Sequence, residues 1–347
     1  MLALRKIKEG VGGLSVDRVA VPKPGPGEVR IKVAFAGICG TDLHIHNWLP
    51  FAHRMNLPTV LGHELSGTVD AVGAGVMRCK KGDFCSIESH IWCGTCYACN
   101  MGQENLCINT RYPGVDIDGG FAPYVVVPEK IVWPQSDDIS PQEAAMFEPF
   151  GIAVHTSLEG RGLSGMNVLI AGCGPIGLMN IIVARALGAN KIIATDVSPT
   201  RLKQARKLKV DKAINVSRNP AGALKTIRDM TAGVGVDVSL EYSGVPQSLE
   251  LIGQATVAGG ELRFVGVPAG PALINMEPWL FKGLKTHNIS GRRIFSSWEH
   301  AIKLVRDKKV DLKSLVSHVM PIEEGPKGFD ILLKGEGIKI LLEPEMA

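Results

Sequence analysis

The sequence has little net charge and no apolar run at its start. Its 38 Lys and Arg against 34 Asp and Glu leave a formal charge of +4, which gives no basic face of the kind that nucleic acid requires. The first ten residues contain no apolar stretch long enough for a signal peptide. We therefore predict a cytoplasmic protein that acts on a small molecule and binds neither nucleic acid nor a membrane.

A long uncharged stretch is present only between Arg161 and Arg185. Its 23 residues exceed the roughly 20 that cross a bilayer. However, glycines, asparagines and a proline interrupt it, so a turn, a buried strand, a glycine turn and a buried helix explain it better than a membrane span.

Cysteines are too few for a disulfide scaffold at this length, since the chain has eight in 347 residues. Four of them fall within 15 residues, at Cys93, Cys96, Cys99 and Cys107. This spacing is typical of a tetrahedral zinc site. A dithiol redox pair is the alternative, but such a pair does not need four cysteines. We predict a closed structural zinc in a lobe at about residues 88–110.

The pattern of predicted elements changes near residue 150. The first part reads as short strands separated by glycine and proline, such as the alternating strand at 28–34. From Val168 onward, a continuous apolar strand and five further strand candidates alternate with helices, which indicates a doubly wound parallel sheet. The remainder holds one predicted helix at 298–307 and a final strand at 338–342. The fold class is therefore α/β, with a β-rich domain beside a parallel-sheet domain.

A glycine motif lies between the first of these strands and its helix. Gly172, Gly174 and Gly177 fit a turn whose backbone approaches a pyrophosphate at a helix N-terminus. Asp196 ends the next strand 19 residues after Gly177, where its carboxylate fits the adenosine ribose and favours NAD over NADP. The alternative is that Asp196 only caps the following helix. Arg201 either flanks the adenine or lies on a solvated helix face.

A second metal site is suggested by scattered donors. Cys39 and His63 lie 24 residues apart, and Glu148 comes just before the change of pattern. These residues supply the sulfur, nitrogen and oxygen donors of a catalytic zinc, which keeps one position open. Spacing alone is only moderately specific, because a single buried histidine or glutamate is usually structural.

The chain resembles the zinc-dependent medium-chain dehydrogenases of the alcohol dehydrogenase superfamily. The Gly62-His63-Glu64 signature, the four-cysteine lobe and the glycine motif occur in the order of that family. More narrowly, it resembles the L-threonine dehydrogenases of the family in residues 39–44, 46–48, 88–91, 114–119 and 148–151, and in Gly291-Arg292 with Trp298. The resemblance implies a GroES-like catalytic domain and a Rossmann domain that binds NAD.

The resemblance also implies roles for individual residues. The catalytic zinc is held by Cys39 and His63, with Glu64 and Glu148 binding it directly or exchanging with water; alternatively, Glu64 tunes the zinc without touching it. Thr41 and His44 form a proton relay, Glu148 belongs to the catalytic set, and His90 lies near the substrate. The residues implied to line the cofactor are Gly172, Gly174, Ile176, Gly177, Asp196, Arg201, Val265, Gly266, Val267, Ile289 and Ser290.

The same resemblance implies the domain order and the assembly. Residues 1–151 and 291–347 form the GroES-like domain around a Rossmann domain at 152–290, and the protein is a homotetramer with two zinc ions per subunit. The implied reaction is oxidation of L-threonine to 2-amino-3-ketobutyrate.

Two departures leave the substrate open. The segment after Trp48 lacks the acidic residues and the second tryptophan usual in threonine dehydrogenases, and Ile152 replaces a common asparagine. Arg292 is a candidate partner for a substrate carboxylate, although Arg292 and Arg293 are equally well explained as a solvated or interface pair. Sorbitol-type polyol dehydrogenases and 2,3-butanediol dehydrogenases are the alternatives.

Overall fold

The computed structural model describes residues 1–217, 219–268 and 270–344. The chain divides into two compact units. The first contains Met1–Pro149, Arg293–Trp298 and the residues from Leu312 onward, and the second contains Phe150–Arg292 and Glu299–Asp311. None of the described helices is long and apolar enough to span a bilayer.

The first part of the chain is rich in short strands, as predicted. The strands are β1 (Leu2–Lys6), β2 (Leu14–Arg18), β3 (Glu28–Gly37), β4 (Thr59–Val60), β5 (Glu64–Val72), β6 (Phe84–Ile87), β7 (Tyr124–Pro128) and β8 (Val132–Pro134). The helices are α1 (Gly40–His46), α2 (Tyr97–Asn100) and α3 (Pro141–Ala144). Strand β3 alternates as its sequence predicts, since Val29, Ile31 and Val33 are buried in the core of the first unit.

The second part alternates helices and strands. Its elements are α4 (Phe147–Leu158), β9 (Asn167–Ala171), α5 (Pro175–Ala186), β10 (Lys191–Asp196), α6 (Pro199–Lys207), β11 (Lys212–Asn215), α7 (Pro220–Met230), β12 (Val236–Glu241), α8 (Pro246–Ala255), β13 (Thr256–Phe264), α9 (Glu277–Phe281), β14 (Lys285–Asn288) and α10 (Ile294–Arg306). The six strands form one parallel sheet in the order β11-β10-β9-β12-β13-β14. This is the order of a doubly wound dinucleotide fold, so the predicted fold class is confirmed.

The end of the chain returns to the first unit. After α10 come β15 (Val316–Pro321), α11 (Gly325–Leu333) and β16 (Lys339–Glu343). Strand β16 pairs with β3, so the sheet runs β15-β16-β3-β5-β6-β8, with β7 also paired to β3. The sequence predicts β16 but not β15 or α11.

Candidate active site and cofactor-binding site

Three predicted metal ligands meet at the start of α1 and β5. Cys39 is the residue before α1, whereas His63 and Glu64 lie at the beginning of β5. One donor atom from each of the three lies within 4.8 Å of the others. Because β3 and β5 are paired, with Gly37 opposite Glu64, the chain around Cys39 is held beside the start of β5.

Asp42 supports two of these ligands. It is fully buried, its Oδ2 accepts a hydrogen bond of 2.8 Å from the backbone N of Cys39, and its Oδ1 lies 4.0 Å from His63 Nδ1. Burial alone would lower the pKa of His63, but Cys39, Asp42 and Glu148 raise it to about 10. The groups around His63 therefore favour its cationic form, and a divalent cation satisfies the same electrostatic demand.

The carboxylate of Glu64 is shared between two surroundings. Oε2 accepts a hydrogen bond from the buried Lys339, whose Nζ also donates to Ile38 O at 3.1 Å. Oε1 is buried and has no hydrogen-bond partner within the described part of the chain. An orphaned carboxylate oxygen beside Cys39 and His63 is the kind of donor that a metal ion satisfies. Sulfur, nitrogen and oxygen donors together fit zinc.

Glu148 lies close to this group without belonging to it. It occupies the first turn of α4, is 6% exposed, and accepts a hydrogen bond of 2.6 Å from Ser89 Oγ through its Oε1. Burial raises the pKa of Glu64, Lys339 opposes this effect, and Glu148 raises it again. The second carboxylate is thus near enough to act on the site electrostatically.

The predicted relay residues lie on α1. Thr41 and His44 are one helical turn apart, and therefore on one face of the helix. Thr41 Oγ1 is 3.7 Å from Cys39 Sγ, whereas His44 is exposed. The pair therefore leads from the metal ligands to solvent.

His90 is buried three residues after the end of β6. Its backbone N donates to Glu88 Oε1 at 2.9 Å, and its Nδ1 lies 2.7 Å from the same oxygen. Arg292, the other predicted substrate residue, is fully buried in the second unit, where an added Cβ on Gly151 would lie 2.5 Å from its Cδ. The glycine after Glu148-Pro-Phe therefore makes room for the arginine side chain.

The four predicted structural ligands also converge. The donor atoms of Cys93, Cys96, Cys99 and Cys107 all lie within 4.8 Å of one another. Backbone N–H groups point at the sulfurs, with Thr95 N 3.5 Å from Cys93 Sγ and Cys93 N 3.2 Å from Cys107 Sγ. The Thr95 hydrogen bonds lower the pKa of Cys93 to about 5, so this residue is a thiolate at neutral pH, which is the form that binds metal.

The glycine motif has the geometry that a pyrophosphate needs. Gly172 has φ +99°, and an added Cβ on Gly177 would lie 2.0 Å from Gly172 O. An added Cβ on Gly174, the residue before α5, would meet no atom within 4 Å. The space beside the helix N-terminus is therefore open to an anion.

The other predicted cofactor residues cluster at one edge of the parallel sheet. They follow the carboxyl ends of three strands: Asp196 and Arg201 after β10, Val265, Gly266 and Val267 after β13, and Ile289 and Ser290 after β14. Ile176 lies in the first turn of α5. The carboxyl edge of such a sheet is where nucleotides bind.

Asp196 is held by the loop around it. Its Oδ2 accepts from Cys173 N at 2.7 Å, its Oδ1 accepts from Ser198 N at 2.8 Å, and Arg201 Nη1 lies 3.9 Å away. The side chain that caps α6 is Ser198, which accepts from Arg201 N. The alternative that Asp196 merely caps this helix is therefore wrong.

Sequence reasoning assigned no role to Asp42 or Lys339. Asp42 lies inside the predicted Cys39–His44 motif. Its position three residues after the ligand Cys39 was the feature from which its role could have been predicted. Lys339 is 275 residues from Glu64 and gave no signal, because only the pairing of β16 with β3 brings it to the site.

Comparisons with known proteins agree with this geometry. The alcohol dehydrogenase GroES-like domain matches residues 25–137 and the zinc-binding dehydrogenase domain matches residues 175–307. The L-threonine 3-dehydrogenase of Bacillus velezensis is 39% identical over 338 residues, which is 97% of each chain. That of Pyrococcus horikoshii is 42% identical over 332 residues, which is 95% of this chain and 92% of the relative.

Solved structures show the same fold over 99% of both chains. The 2R,3R-butanediol dehydrogenase of Bacillus subtilis is 29% identical with a TM-score of 0.90. The alcohol dehydrogenase TADH of Thermus sp. ATN1 is 30% identical with the same score. A short chain alcohol dehydrogenase of Escherichia coli CFT073, in complex with NADH, is 28% identical with a TM-score of 0.89. The chain therefore belongs to the zinc-binding, medium-chain alcohol dehydrogenase family.

Proposed function

We propose that this protein oxidises the secondary hydroxyl of L-threonine to give 2-amino-3-ketobutyrate, with NAD as the hydride acceptor. The observation that carries the proposal is the convergence of the Cys39, His63 and Glu64 donors within 4.8 Å. The relatives named L-threonine 3-dehydrogenase, which match nearly the whole chain at 39–42% identity, support the choice of substrate.

Two zinc ions per subunit fit the donors. Cys39, His63 and one of the two carboxylates, Glu64 or Glu148, would hold the catalytic ion, and the four cysteines at 93, 96, 99 and 107 would hold the structural ion. When bound, the catalytic zinc supplies a Lewis acid that lowers the pKa of the substrate hydroxyl, and the nicotinamide supplies the hydride acceptor. The four-cysteine group leaves no position for a substrate and serves stability.

The chain's own residues bind the cofactor and move the proton. Gly172, Gly174 and Gly177 would cradle the pyrophosphate, while Asp196 would accept hydrogen bonds from the adenosine ribose. Thr41 would take the hydroxyl proton and pass it towards His44, which is exposed and exchanges protons with water. Glu148, which accepts a hydrogen bond from Ser89, would belong to the catalytic set beside the zinc.

Two side chains would recognise the amino acid, one cationic and one polar. Arg292 would pair with the substrate carboxylate, and His90, whose ring is held by Glu88, would contact the substrate.

We propose that the catalytic domain comprises residues 1–151 and 291–347, that residues 152–290 form the NAD domain, and that the protein is a cytoplasmic homotetramer. Leu273, Leu280 and Phe281 are 95%, 73% and 86% exposed, which supports burial in an assembly.

Oxidation of a diol or polyol is the second candidate function. Leu49 and Phe51 are apolar and partly exposed in the segment where threonine dehydrogenases usually carry acidic residues. The structural match to a 2R,3R-butanediol dehydrogenase points the same way. Such substrates carry no carboxylate, so Arg292 would then play no part in binding the substrate.

The test is NADH production from a panel of alcohols. We expect turnover of L-threonine and little of D-threonine, L-serine, sorbitol, xylitol or 2,3-butanediol. His63→Ala should lower turnover by about 1000-fold or more and remove the catalytic zinc, because the variant lacks one of its ligands. NAD binding, measured by titration, should stay within about twofold.

His318→Ala is the matched control, since His318 is a partly exposed histidine of β15 that belongs to no predicted site and its loss should change nothing. Activity on a diol but not on threonine would overturn the substrate and keep the dehydrogenase. Full turnover by His63→Ala would overturn the metal-dependent mechanism itself.

A further inference from the structure

The four-cysteine lobe is closed at its base by a pair of residues. Ile91 N donates to Arg111 O at 2.9 Å and Arg111 N donates to Ile91 O at 3.2 Å, so the two ends of the lobe are tied together. The next residues outward are His90 and Tyr112. Their rings meet edge to face, with centroids 5.1 Å apart. The base of the lobe therefore ends in a direct contact with the predicted substrate histidine.

Tyr112 is fixed from the opposite side by the segment that departs from the family pattern. The ring of Phe51 lies 5.7 Å from that of Tyr112 at an angle of 68°. The guanidinium of Arg54 lies 5.4 Å from the Tyr112 ring and 5.7 Å from the Phe51 ring. We name Phe51, Arg54 and Tyr112 the aromatic clamp.

Arg54 and Asp116 anchor the clamp to the loop beyond the lobe. Arg54 donates to Asp116 Oδ1 and to Thr110 O, both at 2.9 Å, and Tyr112 N donates to Asp116 Oδ2 at 2.8 Å. Asp116 thus holds the backbone of Tyr112 and the side chain of Arg54 at once. Because the Tyr112 ring is already held in place, it loses little conformational entropy when it packs against His90.

The segment that the clamp supports carries two polar contacts of the site. Glu88 is fully buried, holds His90 through Oε1, and accepts from Trp298 Nε1 at 2.8 Å through Oε2. Ser89, the residue between them, donates to Glu148. A shift of residues 88–90 would therefore move both His90 and the partner of Glu148.

We propose that Tyr112 is a positioning residue: through the aromatic clamp it holds the ring of His90 in place and so determines how well the substrate binds. It acts through His90 and not by touching the substrate. The inference rests on the proposed function in that His90 and Glu148 face the substrate.

The experiment compares Tyr112→Ala and Tyr112→Leu with Tyr112→Phe in the full-length, zinc-loaded protein. In Tyr112→Ala and Tyr112→Leu we expect KM for the alcohol substrate to rise about tenfold, because His90 is misplaced. The value of kcat should stay within about twofold of the wild type, because the zinc chemistry is intact. Tyr112→Phe keeps the edge-to-face contact and should restore wild-type KM. Tyr97→Ala is the control, since Tyr97 belongs to the same lobe and is 82% exposed.

Hydrogen exchange gives a readout that does not depend on turnover. In Tyr112→Ala and Tyr112→Leu, amides of residues 84–92 should exchange about fivefold faster or more, whereas Tyr112→Phe and Tyr97→Ala should match the wild type. Leucine retains apolar volume, so this variant serves if alanine unfolds the lobe.

Unchanged KM and unchanged exchange in a folded Tyr112→Leu with both zinc ions would overturn the proposal. If the wild type does not oxidise threonine, the proposed substrate fails, but the exchange result still decides the role of Tyr112.

Discussion

Asp196 shows how one carboxylate serves two purposes. Both of its oxygens already accept backbone hydrogen bonds, from Cys173 in the glycine loop and from Ser198 before α6. It is 7% exposed, so little of its surface is open to the proposed ribose. Its removal should therefore disturb the loop as well as the proposed choice of cofactor.

A pair of substitutions separates these effects. Asp196→Ala should raise the ratio of kcat/KM with NADP to that with NAD by about tenfold or more, since the charge that repels a 2′-phosphate is gone. It should also raise KM for both cofactors, because Cys173 N loses its acceptor. Asp196→Asn keeps one of the two acceptor oxygens without the charge, so it should raise the ratio while disturbing the loop less than Asp196→Ala. Steady-state kinetics with both cofactors measure this, and an unchanged ratio in both variants would reject Asp196 as the discriminating residue.

At the same scale, the candidate metal ligands could be predicted because their residue types are ordinary metal donors. Cysteine, histidine and glutamate at these spacings limit the choice of metal. Lys339 was not predictable, since a lysine in a C-terminal strand is ordinarily exposed. It is buried here because its charge is paired with Glu64, and that pairing depends on the tertiary fold.

At the scale of elements, α4 is joined to the parallel sheet by a buried ion pair. Arg263, on β13, is fully buried and donates to the carbonyls of Thr156 and Ser157 at the end of α4, at 2.7 and 3.2 Å. It also pairs with Glu261 at 2.8 Å. The cation thus satisfies the unpaired carbonyls of a helix C-terminus while its own charge is balanced.

Breaking this pair should be costly. Glu261→Gln leaves the Arg263 charge buried without its partner and should lower the free energy of unfolding by about 3 kcal/mol, measured by urea unfolding at pH 7. Asp229→Asn breaks the exposed Lys225–Asp229 pair and should cost less than about 0.5 kcal/mol. Equal losses in the two variants would contradict the role assigned to Arg263.

The pH dependence of this pair has a definite sign. Burial opposes ionisation of Glu261, but Arg263 and Arg161 more than offset it and lower the pKa of the carboxyl. The stability that Glu261 contributes is therefore present above its unfolded pKa of about 4.3 and is lost as the pH falls through the lower folded value. The difference between wild type and Glu261→Gln should shrink in that acidic range.

Some elements could not have been predicted from their own sequence. Helix α11 starts with Gly325-Pro326 and contains Gly328, which are poor helix formers. The two glycines are needed for packing, because an added Cβ would lie 2.5 Å from Leu4 Cδ2 at Gly325 and 3.0 Å from Ile38 Cδ1 at Gly328. Strand β15 lacks a period-two pattern of apolar residues in its sequence, and in the structure it pairs with β16. In contrast, the parallel strands β9 and β10 contain apolar runs, at 168–171 and 192–194, that were recognisable locally.

On the scale of the whole molecule, the two candidate metal groups lie in the first unit and the cofactor residues in the second. The sequence predicts this division, because the glycine motif follows the change from short strands to alternating strands and helices. The metal groups use different segments, residues 39–64 and 93–107, so each should be removable without loss of the other.

The metal content should follow this division. Cys107→Ser should lower the zinc bound per chain from about two to about one, and the melting temperature should fall by about 10 °C, because binding of a structural zinc contributes directly to folding. Metal analysis and calorimetry measure both effects. Cys79→Ala changes a cysteine outside both groups and should keep two zinc ions. Two ions in Cys107→Ser would refute the assignment of the lobe.

The glycine motif places two different demands on residues of one kind, only three positions apart. At Gly177 any side chain collides with the carbonyl of Gly172, whereas at Gly174 a methyl group meets only open space. The fold itself therefore requires glycine at position 177, whereas position 174 requires it only to leave space for the proposed phosphate. Gly174→Ala should leave the fold intact and narrow the space for the phosphate. Binding of the alcohol could then be measured apart from its oxidation.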